Sequence, residues 1–102
     1  MPRLSADQIE QALGQLPGWS VQAGKLTKEF TVKSFAHAVL FTGAIAQLAE
    51  AMNHHPDLFL HDYKLVTVSL VDHHDGGINE KDTALAAQID ALPHKKLDPD
   101  KK

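Results

Sequence analysis

Pro56 ends the longest helix-forming stretch of the chain, and that break constrains the fold more than any other position. From Phe35 to Asn53, the residues Phe41, Ile45, Leu48 and Met52 recur at i, i+4, i+7 and i+11, which is one face of a helix. Ala38, Ala44 and Ala49 lie among them and permit close packing. Ser34 is a candidate N-cap. Proline cannot continue the helix, and it drives the preceding residue, His55, towards extended backbone. The chain therefore passes from helix to strand at His54-His55-Pro56. An imidazolium placed there meets the negative end of the helix dipole, a stabilisation of about 0.3–1 kcal/mol.

On either side of that break the hydrophobic period alternates between helix and strand. Ser5 and Gln8 have capping-box spacing, and Leu4 and Ile9 flank them as a hydrophobic staple. Ile9, Ala12, Leu13 and Leu16 then predict a first helix, stopped by Pro17-Gly18. Trp19, Val21 and Ala23 alternate with polar neighbours, and Gly24 marks a turn. Leu26, Phe30 and Val32 share one parity, which Lys28 breaks. Together these residues predict a hairpin with one wet side.

After Pro56, the stretch from Asp57 to Asp62 reads as a short strand and that from Tyr63 to Val71 as a longer one. Val66, Val68 and Leu70 face one way, Thr67 and Ser69 the other. Asp75-Gly76-Gly77 is a turn. Asn79 caps a third helix with an apolar stripe of Leu85, Ile89 and Leu92, and Pro93 ends it. The order α-β-β-α-β-β-α predicts an α+β fold, a four-stranded antiparallel sheet with its helices packed on one face. Such a sheet keeps two edges, which invite strand pairing between subunits.

The 102 residues suffice for a single domain spanning 1–102, with a polar tail over 93–102. A net charge of −3 speaks against a nucleic-acid partner. The absence of cysteine excludes disulfides, thiolate chemistry and cysteine zinc sites. No apolar run approaches the ~20 residues of a membrane span, and the first residues lack the apolar segment of a signal peptide. A cytoplasmic protein without a membrane partner is the expectation.

Five of the seven histidines, His54, His55, His61, His73 and His74, lie between Glu50 and Asp82. Imidazole exchanges protons near neutral pH, so the stretch reads as a histidine-based acid/base site. If the Tyr63–Val71 strand keeps its pleat, His73 continues the parity of Thr67 and Ser69 and projects from the non-core face. A metal centre is the competing reading. Adjacent histidines on a turn seldom share one ion, and His54, His55 and His73 match no familiar zinc spacing, so no metal is expected.

The pattern Glu50, three residues, His54-His55-Pro56, then Tyr63, His73 and Asp82 resembles the pterin-4a-carbinolamine dehydratase family. Nine residues separate Tyr63 from His73, and eight separate His73 from Asp82, as in that family. Leu16-Pro17-Gly18-Trp19, Lys28-Glu29-Phe30, Phe35, Phe41 and Gly76-Gly77 extend the likeness from about Leu4 to about Leu92. One departure is present: six residues separate Pro56 from Tyr63, one more than is usual. The extra residue implies a bulge or a longer turn.

The resemblance implies loss of water from a 4a-hydroxytetrahydropterin to give quinonoid dihydropterin, with the pterin as substrate and no separate cofactor. It implies His54 and His73 as an acid/base pair, with His55 positioning the substrate or its partner imidazole. Glu50 and Asp82 are implied to orient imidazoles or bind the pterin ring nitrogens. Asp82 reads equally as the third-position partner of a capping box with Asn79. Tyr63 reads as packing or hydrogen bonding within the sheet. His61 and His74 read as surface residues, and His37 and His94 take no role. Family members form homodimers, often paired into homotetramers through helices, and the same is expected here. Animal members also bind a homeodomain transcription factor, so a catalytically silent, coactivator-like binding module is the alternative.

Overall fold

A computed structural model describes residues 2–93. The elements follow the expected order: α1 (Ala6–Leu13), β1 (Ser20–Gln22), β2 (Lys25–Thr31), α2 (Phe35–Met52), β3 (Asp57–His61), β4 (Leu65–Leu70) and α3 (Glu80–Ala91). The four strands form one antiparallel sheet in the order β1-β2-β4-β3. The 94–102 part of the polar tail lies outside the described residues.

Strand register decides which face is covered. Leu26 pairs with Leu70, Lys28 with Val68 and Phe30 with Val66, while Leu58 and Leu60 of β3 pair with Val68 and Val66. These residues form the core-facing side, joined by Phe41 and Ile45 of α2 and by Leu85 and Ile89 of α3. The opposite face carries Thr27, Glu29, Thr67, Ser69, Phe59 and His61. The helices therefore pack on one face, as the alternation predicts.

Lys28 breaks the apolar parity because it reaches out of the core to Asp90. Its Nζ lies 3.0 Å from Asp90 Oδ1, donates to the Pro17 carbonyl at 2.9 Å and stands 4.7 Å from the centre of the Phe30 ring. The Trp19 indole N–H lies 3.1 Å from both Asp90 oxygens. One carboxylate thus ties α3 to β2 and to the loop before β1.

Several local expectations differ from the structure. The first helix ends at Leu13 instead of running on to Leu16, and the chain continues in i→i−3 turns from Gly14 to Leu16. Gly14 weakens the helix, and Pro17 disfavours helical backbone at Leu16, which is still buried. The long strand does not begin at Tyr63. Asp62 and Tyr63 both have positive φ, 48° and 53°, and form the tip of the β3–β4 hairpin. Tyr63 is 61% exposed there, so it does not pack within the sheet. The pairing from Asp57↔Ser69 to His61↔Leu65 is uninterrupted, so the extra residue lengthens the turn and makes no bulge. Finally, α2 is apolar enough over its 18 residues, at mean hydropathy 1.3, to cross a membrane by length and composition. A search for unbroken apolar runs misses this because Thr42, Gln47 and Glu50 interrupt the helix. Its Ala38, Phe41, Ile45 and Ala49 stripe is buried, and the helix packs against α3 and the sheet.

Asp90→Ala strips the acceptor from both Trp19 and Lys28. Buried or partly buried groups left without their partner typically cost about 1–3 kcal/mol. Urea denaturation should show a loss of that size with an unchanged slope, and an unchanged midpoint would refute the tie.

Candidate functional site

The end of α2 is built to turn His54 inward. Asn53 adopts the left-handed conformation, φ 52° and ψ 45°. The His54 N–H bonds to the Ala49 carbonyl at 3.0 Å and the Asn53 N–H to that of Glu50 at 3.1 Å. This is a Schellman closure, with asparagine in the position most often held by glycine. The residue that follows is carried under the helix, and His54 is only 7% exposed.

Asp82, itself fully buried, meets His54 from the first turn of α3. Its Oδ1 is hydrogen-bonded to His54 Nε2. Its Oδ2 accepts from the Asn79 backbone N–H at 2.9 Å. Asp82 is therefore both a capping residue and a partner of His54, and the two sequence readings of it coexist. When the carboxylate is ionised it can only accept, and His54 Nε2 then carries the hydrogen of their bond. The other ring nitrogen, Nδ1, lies 4.0 Å from Asp72 Oδ2.

His55 points the other way. Its Nε2 is 2.9 Å from Glu50 Oε2, with both side chains well exposed, so the pair contributes little to stability. The structure thus gives each of these adjacent histidines its own carboxylate, Asp82 for His54 and Glu50 for His55.

The position of His73 differs from the pleat-based expectation. Regular pairing stops at Leu70, and Asp72 and Gly77 then form an isolated antiparallel bridge. His73, His74, Asp75 and Gly76 make its four-residue tip, with Gly76 at φ +77°. Both histidines are exposed. His73 therefore projects from a turn and not from the strand face. Its backbone follows directly on Asp72, the residue beside His54.

Asp72, Asp75 and Asn79 escaped the sequence reading as site residues. The signal was available in the local Asp72–Asp75 spacing, where Asp72 Oδ1 accepts from the backbone N–H three residues on at 3.0 Å. That bond lowers the Asp72 pKa from its ordinary 3.8. Burial opposes the shift, while the Asn79 side chain, the His74 amide and the nearby His54 assist it. His61 is also more than a surface residue. It stacks on Phe59 at 4.5 Å between ring centres and bonds Thr67 Oγ1 at 2.9 Å. His74 remains exposed.

Among the described residues, no group of three or more His, Cys, Asp or Glu side chains is placed to hold a metal ion. A cleft of about 270 Å³ between Val32, Phe41 and Pro93 is lined by none of His54, His55 and His73.

The family described as Pterin 4 alpha carbinolamine dehydratase matches residues 2–92. The chain belongs to this family. A relative in Roseiflexus sp. (strain RS-1) is 44% identical over 90 residues, 88% of this chain and 96% of that protein. One in Chloroflexus aurantiacus (strain ATCC 29366 / DSM 635 / J-10-fl) is 42% identical over 92 residues, 90% and 98% of the two chains. Both are named, provisionally, for the family activity. The crystal structure of a transcriptional coactivator/pterin dehydratase from Brucella melitensis has a TM-score of 0.81 at 34% identity, covering 87% of this chain and 96% of that one. A pterin dehydratase-like protein identified as a RuBisCO assembly factor in the alpha-carboxysome has a TM-score of 0.60 at 30% identity, covering 72% and 87%.

Because Asp72 titrates at lower pH when folded, its contribution to stability is present above pH 3.8 and lost as pH falls through the lower folded value. Asp72→Asn should therefore be less stable than the parent at pH 7, with the gap closing towards pH 3. Unfolding free energies at the two pH values test this, and an equal gap at both would contradict it.

Proposed function

We propose that the chain is a hydro-lyase that removes water from a 4a-hydroxytetrahydropterin and releases quinonoid dihydropterin. In that elimination the C4a–O bond breaks, N5 gives up its proton and a C4a=N5 double bond forms. The departing oxygen needs an acid and N5 needs a base, each typically worth ~10²–10⁴ in rate. His54 and His73 are the proposed acid/base pair. Exposed His55, with Glu50, is proposed to position the pterin at the open side. The pterin enters as substrate, and the chemistry calls for no further cofactor.

The observation that carries this reading is the buried His54–Asp82 pair beside the turn that bears His73. A carboxylate that accepts from one ring nitrogen fixes the tautomer and orientation of the imidazole, leaving the other nitrogen to exchange a proton. Family membership supplies the substrate class.

A second reading is favoured by the two solved neighbours, one named a coactivator as well as a dehydratase and the other an assembly factor. On that reading the chain is a binding module and the histidines are dispensable. Fold likeness alone does not choose between the two, because function resides in the site.

His73→Ala and His54→Gln separate them. The glutamine keeps a donor towards Asp82, so that no buried carboxylate is left unpaired. Each variant should lower dehydration by at least ~10²-fold once the enzyme-free rate is subtracted in a stopped-flow assay. Near-parental turnover in either variant removes that residue from the proposed chemistry.

The proposal extends to assembly. Phe35, Val39 and Leu40 of α2 are 56%, 47% and 70% exposed, and β3 is a free edge of the described sheet. Exposed apolar surface of this kind marks an association face, and unpaired strand edges invite pairing. A homodimer at least, with a homotetramer as the larger form, is the expected state. Light scattering at micromolar concentration should give a mass above the 11.2 kDa of one chain, and Leu40→Glu should lower it. A parental mass of one chain would refute the assembly proposal.

A further inference from the structure

Asn79 is fully buried and uses every polar atom of its side chain. Its Oδ1 accepts from the N–H groups of Lys81 at 3.0 Å and Asp82 at 3.2 Å, which is ordinary N-cap geometry. Capping leaves the amide nitrogen idle, since a cap needs only an acceptor. Here Nδ2 donates to Asp72 Oδ2 and to Asp75 Oδ2, both at 2.9 Å. The two aspartates bracket His73 and His74 in sequence. Asn79 thus holds both ends of the segment that carries His73. Through its backbone N–H it also holds Asp82, the partner of His54.

We propose that Asn79 is a positioning residue that keeps the His73-bearing turn in register with the His54–Asp82 pair, a role that rests on the dehydratase reading above. His73 is exposed, and among the described residues no side chain is hydrogen-bonded to its ring. Its orientation therefore depends on the backbone of the turn. That turn has one bridge, between Asp72 and Gly77, and a glycine at φ +77° at its tip, so its own ladder holds it weakly. The Asn79 amide supplies two further bonds to charged acceptors, the stronger class of hydrogen bond. It also stands between two carboxylates that would otherwise face each other across the turn. A displacement of about 1 Å in a proton-transfer group can cost about 10²-fold in rate, so a loosened turn registers in turnover before it registers in folding.

The design of the test follows from capping physics. Asn, Asp and Ser are nearly equivalent N-caps, so Asn79→Ser and Asn79→Asp both keep α3 capped. Serine removes both bonds to the turn, and aspartate replaces them with a third carboxylate. A residue that only capped the helix would leave turnover almost the same in all three proteins. Positioning predicts the order Asn, then Ser, then Asp, with kcat for Asn79→Ser lowered at least about tenfold. Asp75→Ala removes one arm of the clamp from the other side and should lower kcat in the same direction.

Amide hydrogen exchange supplies a readout independent of activity. In Asn79→Ser, exchange should quicken across His73–Gly77, with the amides of α3 still protected. Turnover of Asn79→Ser within about twofold of the parent would overturn the proposal. So would faster exchange in α3 in place of the turn. If the parent protein fails to dehydrate the pterin, the dehydratase reading falls by itself. The exchange pattern then decides the clamp alone, with turn-confined exchange upholding it and unchanged exchange refuting it.

Discussion

The fully buried carboxylate of Asp82 sets the arrangement of one end of the molecule. An ionised group without partners in such a place costs far more than any single apolar contact returns. Both of its oxygens are engaged, one by the His54 ring and the other by the Asn79 backbone N–H. These partners come from separate elements, the residue after the closure of α2 and the N-cap of α3. The C-terminal end of one helix must therefore meet the N-terminal end of the other. The left-handed backbone at Asn53 is what allows His54 to reach the meeting point. The N-terminal dipole of α3 favours a carboxylate in its first turn, so the position of Asp82 is electrostatically supported even before His54 arrives.

Much of this was legible in the sequence because it rests on local rules. Ser5 with Gln8, Ser34 and Asn79 each cap a helix as their spacing indicates. Strand alternation assigns the correct face to Leu26, Phe30, Val66, Val68 and Leu70. What escaped depends on long-range or unusual backbone choices. The Asp62-Tyr63 hairpin tip has positive φ at two residues without glycine, and a tyrosine there is uncommon enough to read as strand instead. His73 was placed by extrapolating a pleat beyond Leu70, where pairing stops because the chain bends into the Asp72–Gly77 bridge. Lys28 looked like a flaw in the hairpin until Asp90, 62 positions away, supplied its partner. Asp72 and Asp75 carried no periodic signal, and their bonds to the Asn79 side chain cross from the turn to the next element.

The two ends of α2 serve different ends of the physics. Its first turns expose Phe35, Val39 and Leu40, and its last residue leads into Asn53 and His54. A helix of 18 residues is about 27 Å long at 1.5 Å per residue. That exceeds the Debye length of about 8 Å at physiological salt several-fold, so charge placed at the first end is largely screened from the histidine end. The buried stripe of Ala38, Phe41, Ile45 and Ala49 between them is common to both. Substitutions on the exposed apolar turns can thus report on association without touching His54, whereas substitutions in the stripe report on neither cleanly.

Away from the helix ends, apolar burial holds the fold. The sheet, the two long helices and the core cluster around Leu26, Ile45 and Leu85 are held by apolar burial, at roughly 25 cal/mol per Å². Replacing a buried ion pair by well-packed apolar residues is often neutral or stabilising by about 1–4 kcal/mol. What such a replacement cannot reproduce is an imidazole hydrogen-bonded to a buried carboxylate, with a second carboxylate on its far side and another imidazole beside it in sequence. The chain retains a locally expensive arrangement, every member hydrogen-bonded, at a place where the core could be simpler. His54, Asn79 and Asp82 are all buried, so the network belongs to the interior and not to an exposed surface.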